Sequence, residues 1–355
     1  MSRWEENIRK VIPYTPGEQP NQPDMIKLNT NENPYPPAPG VEKALREMDT
    51  DTMRLYPDPT AGELVHAIAK NYGLKDEQVF VGVGSDDVLA MSFLTFFNSQ
   101  KPVLFPDITY SFYDVWAELF RIPYKQMPLD ENFRLKIDDY KGENGGIVFP
   151  NPNAPTGIYE SLDHVEEIIK NNPDVIVIVD EAYIDFGGET ALPLIDKYDN
   201  LVVVRTFSKS RSMAGLRIGY AISNPELIKA LNDVKYSYNS YTMNRPSLVL
   251  GVESIHDDAY FREKVGQIIA TRERFVKEIA ELGFTCLPSS ANFVFATHES
   301  IPAKKIFAAA KENNIYVRYF DKPRIDNYLR ISIGTDAEMD AFVAFLKGYV
   351  ETKQN

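Results

Sequence analysis

Cysteine is almost absent. Cys286 stands alone among 355 residues, which excludes an internal disulfide framework, suits a reducing compartment and makes a cytoplasmic location the expectation. Histidine is nearly as scarce: His66, His164, His256 and His298 are scattered without paired ligand spacing, so no metal site is expected. Long apolar runs are missing too. Val88 to Phe97 comes nearest, well short of the ~18–20 residues of a membrane span, so no membrane partner is expected. The opening MSRWEENIRK is charged and mixed, with no apolar signal core. Basic charge is in deficit, with 38 Lys plus Arg against 51 Asp plus Glu and a net charge of −13. That balance repels phosphate backbones and argues against nucleic acid as a partner. No repeat and no glycine-lysine-Ser/Thr phosphate loop is present.

What the chain does contain is 44% apolar and 25% charged residues, an ordinary globular balance, at a length that suits two domains. The first 40 residues are set apart by Pro13, Pro16, Pro20, Pro23, Pro34, Pro36, Pro37 and Pro39, which keep most of the stretch from being helical. It reads as a short helix and then an extended arm, LNTNENPYPPAPG. From about 60 to 225, helical patterns alternate with β-rich runs at 79–81, 102–105, 147–149, 175–179, 201–205 and 217–222. Runs such as VIVIV and LVVV are apolar on both faces, as in a mostly parallel sheet buried between helices. The expected fold class is therefore α/β, with ligands at the carboxyl ends of the strands. A long helix near 258–282 connects to a smaller α+β unit with β-rich runs at 283–287, 292–296, 316–318 and 328–333. The division expected is 1–45 for the arm, packed with the small domain, 46–265 for a large domain and 266–355 for the small one.

The strongest local signal is Thr206-Phe207-Ser208-Lys209, directly after LVVVR, with Arg217 following the turn Ala214-Gly215. A lysine past the end of a buried strand, flanked by hydroxyls and near an arginine, can form a Schiff base with an aldehyde cofactor whose phosphate its neighbours bind. Alone it is as well read as a solvated loop lysine. In VIVIVDEAY an apolar strand ends in Asp180, where burial demands a cationic partner; the functional reading is a carboxylate that keeps a pyridine nitrogen protonated, the bland one a loop or capping carboxylate. GVGSDD (82–87) is a strand–turn–helix whose glycines let the backbone approach an anion, but Asp87 at the third glycine position fails the dinucleotide fingerprint. FPNPNAPTG (149–157) is a proline-punctuated loop able to fix an Asn side chain, and Tyr110 in ITYSFY can stack on a flat ring. Each has a structural reading of its own. Their coincidence at one sheet edge is what points to a site.

These residues, in this order, resemble the pyridoxal-phosphate-dependent fold type I aminotransferases and, more closely, the histidinol-phosphate aminotransferase family. The resemblance runs along nearly the whole chain, through LNTNENPYPP, RLYPDP, GVGSDD, DITYSFY, NPNAPTG, VDEAYIDF, RTFSKSRSMAGLRIGY, ANFVF and YLRISIGT. It implies a large domain with a mostly parallel seven-stranded sheet and a smaller α+β domain. By the same resemblance Lys209 would carry pyridoxal 5′-phosphate, Asp180 would pair with its ring nitrogen, Tyr183 would bond its phenolic oxygen and Tyr110 would stack on its ring. The backbone at Ser85 and Asp86, with Thr206, Ser208 and Arg217, would hold the phosphate, and Tyr56 would reach it from the other subunit of a homodimer. Arg318 and Arg330 would receive the substrate's anionic group, with Tyr14 and Asn33 of the arm completing the pocket.

The implied reaction is transamination of L-histidinol phosphate with 2-oxoglutarate to imidazole acetol phosphate and glutamate, a step of histidine biosynthesis. An aromatic amino-acid aminotransferase and a threonine-phosphate decarboxylase of the same fold are the alternatives. A nicotinamide-dependent oxidoreductase is disfavoured by the missing third glycine. One departure stands out: the family usually has Asn before Pro-Thr-Gly, where this chain has Ala154, with Asn153 beside it as the substitute.

Overall fold

The computed structural model describes residues 4–354. Proline governs the arm: past a single 3-10 turn at Glu5–Asn7, no helix or strand forms before β1 (Ile26–Lys27). Downstream, β2 (Val79–Gly82), β3 (Val103–Pro106), β4 (Tyr124–Met127), β5 (Gly146–Pro150), β6 (Val177–Asp180), β7 (Leu201–Thr206) and β8 (Gly219–Ile222) build one sheet. Its order is β2-β8-β7-β6-β5-β3-β4, parallel throughout except for β8, which runs antiparallel to both neighbours.

The two-sided apolar runs explain the layers. Side chains alternate across a strand, so Val177 and Val179 of β6 with Leu201 and Val203 of β7 enter one core, while Ile178, Val202 and Val204 enter the other. The helices Gly62–Tyr72, Leu162–Lys170 and Arg245–His256 cover the first face; Ser85–Phe96, Tyr113–Phe120 and Pro225–Tyr238 cover the second.

Three elements are not legible from pattern. The edge strand β4 reads YKQM, polar and half-exposed, because only one neighbour pairs with it. The helices Pro225–Tyr238 and Arg245–His256 fill a stretch that periodicity leaves unassigned. Their starts do carry signals: Asn224 and Asn244 accept hydrogen bonds from the Leu227 and Ser247 N–H groups, each with proline in the first turn. Strand β8 also starts later than the sequence suggests, at Gly219, because Arg217 follows a 3-10 turn with a left-handed backbone at φ 52°.

Beyond the long helix Asp258–Ala280 come β9 (Phe284–Cys286), β10 (Phe293–His298), β11 (Ile315–Tyr316), β12 (Arg318–Tyr319) and β13 (Leu329–Ser332). Four of them form an antiparallel sheet, β12-β13-β10-β9, with its own core against Asp258–Ala280 and the terminal helix Asp336–Gln354. Strand β11 instead pairs in parallel with β1, which ties the arm to the small domain. No helix among the described residues is long and apolar enough to cross a membrane.

Candidate active site

Strand direction gathers the chemistry at one edge. Parallel β5, β6 and β7 end there at Pro150, Asp180 and Thr206, and β2 ends there at Gly82. Because β8 is antiparallel it begins at that edge, so Arg217 arrives beside residues far away in sequence. Its Nη2 donates to Asp86 Oδ2 at 3.0 Å, and Asp86 Oδ1 accepts from the Tyr110 hydroxyl at 2.6 Å. Two glycines permit the approach. A Cβ on Gly219 would lie 2.3 Å from the Ser85 nitrogen, and one on Gly84, at φ 86°, would lie 2.5 Å from Arg217 Nη2. The turn thus leads into the helix Ser85–Phe96, whose first-turn N–H groups have no intrahelical acceptors and favour an anion.

Two adjoining cavities of about 230 and 240 Å³ share Tyr110, Ala154, Tyr183 and Lys209 as walls. The inner one adds Ser85, Asp86, Asp180, Ser208 and Arg217; the outer one adds Tyr14, Arg318 and Arg330. Lys209 Nζ donates to the Thr30 carbonyl at 3.2 Å and lies 5.7 Å from the Tyr183 ring centre. Thr206 sits just behind, its hydroxyl 3.0 Å from that of Ser208.

Asp180 is buried, and burial pushes its carboxyl up to about 7. The Tyr113 hydroxyl (3.0 Å) and the Ala182 N–H (3.1 Å) donate to it and pull the other way, and the like charges of Asp86 and Glu181 add to the rise. No cation faces it. The neighbouring Glu181 has one: Arg205 Nη2 sits 2.9 Å from its carboxylate, and that guanidinium also meets Asp185 and the Tyr72 hydroxyl.

The outer cavity shows the opposite imbalance. Burial pushes the Arg330 guanidinium down, and Arg318 beside it adds to the effect. Its Nη2 donates to the Asn29 carbonyl at 3.1 Å, while the buried Nε atom has no hydrogen-bond partner among the described residues. Planar guanidinium groups held this way match a carboxylate or phosphate bidentately.

Three residues fall elsewhere. Asn33 donates to the carbonyls of Lys209 and Ser210 (3.0 and 3.3 Å), so its amide steadies the lysine loop. Asn153 turns its Nδ2 to the Ile108 carbonyl and Thr156 Oγ1 (both 3.0 Å), leaving Ala154 to face the cavities. Tyr56 is 80% exposed, packs on Tyr241 and lines neither cavity of its own chain. Tyr14 stacks on Phe112 with ring centres 4.1 Å apart. Sequence reasoning missed Tyr113, the first residue of the helix that starts three residues after Tyr110, and Asn31 of the arm, whose amide reaches the Tyr183 hydroxyl at 2.9 Å. Neither residue carries a local signal of its role. No cluster of metal-ligating side chains occurs among the described residues.

A model of the family "Aminotransferase class I and II" matches residues 23–346. The chain is 51% identical over 351 residues to the histidinol-phosphate aminotransferase of Lactococcus lactis subsp. cremoris strain MG1363, covering 99% of each. This chain belongs to the histidinol-phosphate aminotransferase family. It is a transaminase of fold type I, and its family's cofactor is pyridoxal phosphate. The structure of histidinol-phosphate aminotransferase from Sinorhizobium meliloti in complex with pyridoxal-5′-phosphate superposes with a TM-score of 0.84 at 24% identity, over 92% of this chain and 91% of that one. L-threonine-O-3-phosphate decarboxylase from Porphyromonas gingivalis reaches 0.79 at 20%, over 92% of this chain and 100% of that one. Fold alone therefore does not separate the two activities; the 51% identity does.

The side chains fit the family's cofactor. A buried carboxylate with no ion-pair partner among the described residues suits a protonated pyridine nitrogen, an amine stands at the cavity wall, and a helix start with an adjacent guanidinium suits a phosphate.

Proposed function

We propose that this enzyme transfers the amino group of L-histidinol phosphate to 2-oxoglutarate, yielding imidazole acetol phosphate and glutamate, in the cytoplasm and as a homodimer. The observation that carries the reading is the pair Arg318 and Arg330 in the cavity wall beside Lys209, with Arg330 half-buried and paired with no carboxylate among the described residues. Histidinol phosphate bears a phosphate where an amino acid bears its carboxylate, and glutamate bears two carboxylates. Two guanidinium groups serve both half-reactions.

Bound pyridoxal phosphate supplies the aldehyde that takes up the substrate amine and the ring that accepts electrons released at Cα. The chain's own groups do the rest. Asp180, held by Tyr113 and the Ala182 N–H, keeps the proton on the ring nitrogen. Lys209, the one lysine among the lining residues, removes the substrate Cα proton as general base. Tyr183 donates to the phenolic oxygen, and Tyr110 packs against the ring. Arg217, Ser208, Thr206 and the N–H groups of Ser85 and Asp86 hold the phosphate. Exposed Tyr56 reaches the partner subunit's phosphate site, which gives a role to a large aromatic side chain on an outer face. The domain division at about residues 45 and 265 lets the small domain carry Arg318 and Arg330 as one body.

The test is the visible spectrum of the cofactor-loaded enzyme on separate addition of histidinol phosphate, glutamate and phenylalanine. Bleaching strongest with histidinol phosphate, and restored by 2-oxoglutarate, is the expected result. Stronger bleaching by phenylalanine moves the activity to aromatic transamination. Carbon dioxide released from threonine phosphate without any oxo acid moves it to decarboxylation.

A further inference from the structure

The Tyr183 hydroxyl is gripped from the arm. Asn31 is 1% exposed, and its Nδ2 donates to Tyr183 Oη at 2.9 Å across 152 residues of sequence. The other end of the amide sets its orientation. Ser332 Oγ accepts the Asn31 backbone N–H at 2.8 Å and sends its own proton to Asn31 Oδ1 at 3.0 Å, which leaves Nδ2 for the tyrosine. Asn292 Nδ2 fixes the Asn31 carbonyl at 3.0 Å. The backbone here is left-handed, φ 56°, a conformation asparagine tolerates.

A phenol has a single proton. With an amide donor on its oxygen, Tyr183 must send that proton to another acceptor, and the open direction is the cavity that Tyr183 lines. The loop that also borders this cavity offers no help: Ala154 is apolar, and Asn153 commits its N–H donors to Ile108 and Thr156. We propose that Asn31 is a positioning residue that aims the Tyr183 proton at the phenolic oxygen of bound pyridoxal phosphate, making up for the donor missing at Ala154. The inference rests on the reading of Tyr183 as that oxygen's donor, and the experiment separates the two.

The readout is the pH midpoint of the visible band of the cofactor-loaded enzyme. A donor on the phenolic oxygen stabilises its ionised form, so losing that donor raises the midpoint. Tyr183→Phe is expected to raise it by about one pH unit, the size of one hydrogen bond to a charged group. Asn31→Gly keeps the left-handed backbone and deletes only the amide; it is expected to raise the midpoint by roughly half a unit. The double variant should match Tyr183→Phe alone, since one interaction acts through the other. Asn31→Asp keeps shape and turn but accepts the tyrosine proton, so its midpoint should rise at least as far as that of Tyr183→Phe. A shifted Tyr183→Phe with Asn31→Gly or Asn31→Asp at the wild-type midpoint overturns the role of Asn31. An unshifted Tyr183→Phe overturns the tyrosine reading beneath it.

Discussion

The two edges of the large sheet are both hollow, and they differ in what their charges do. At the amino edge a groove of about 660 Å³ runs past Lys101, Asn144, Pro173 and Asn200. Its cations and amides are paired: Lys101 with Glu143 at 2.8 Å, Lys197 with Glu166, while the Asn144 and Asn200 amides tie loops to Asn172 and to backbone carbonyls. At the carboxyl edge each cavity is less than half that size, yet among the described residues buried Asp180 has no paired cation and half-buried Arg330 no paired anion. Uncompensated buried charge is costly, so it persists where a ligand completes it. Size alone would have chosen the wrong edge.

Lys209→Ala should break the carboxyl edge most severely. Loss of turnover by at least about 10³-fold, with loss of the cofactor's covalent attachment, is expected from removing both nucleophile and general base; substantial residual transamination would contradict the assignment. Asp180→Asn comes next, at about 10²-fold, and it also predicts a pH effect without cofactor. A carboxyl raised from its ordinary value to about 7 contributes stability that is complete below about pH 4 and lost as the pH climbs through 7. Melting temperatures of the cofactor-free protein should therefore fall over that window more in the wild type than in Asp180→Asn. Parallel curves would remove Asp180 as the uncompensated acid.

Arg330→Ala should lower kcat/KM for histidinol phosphate by about 10–100-fold, the worth of a charge-assisted hydrogen-bond pair. Histidinol without its phosphate should be affected far less, and an equal loss for both would deny the arginine its anion. Tyr56→Phe should weaken cofactor affinity by only about 5–10-fold, one hydrogen bond's worth. Equilibrium dialysis measures it, and a fully active monomer in sedimentation refutes the contact between subunits. Lys101→Ala, at the amino edge, should leave kcat/KM within about twofold, because an exposed ion pair contributes little. A larger loss there would erase the contrast between the edges.

Lys209, Asp180 and the glycine turn were legible because their chemistry is local: a lysine or an acid just past an apolar strand, glycines just before a helix. Those positions follow from alternation and chain order alone. The direction of Asn153 was not legible, since two polar acceptors from Ile108 and Thr156 compete for its amide inside the folded loop. Nor was Tyr113, whose distance from Asp180 depends on how one helix sits on the sheet. The edge strand β4 escaped because exposure removes the apolar pattern by which strands are found.

What the sequence determined by itself is the set of elements and the side chains at their ends, because hydrophobic period and turn chemistry act over a few residues. Tertiary structure decided which ends meet. Arg217 reaches Asp86 across 131 residues only because β8 reverses direction between β2 and β7. Asn31 reaches Tyr183 only because β1 pairs with β11 and Ser332 holds the arm in place. Contacts of that kind depend on the packing of whole layers, and no short stretch of chain encodes them.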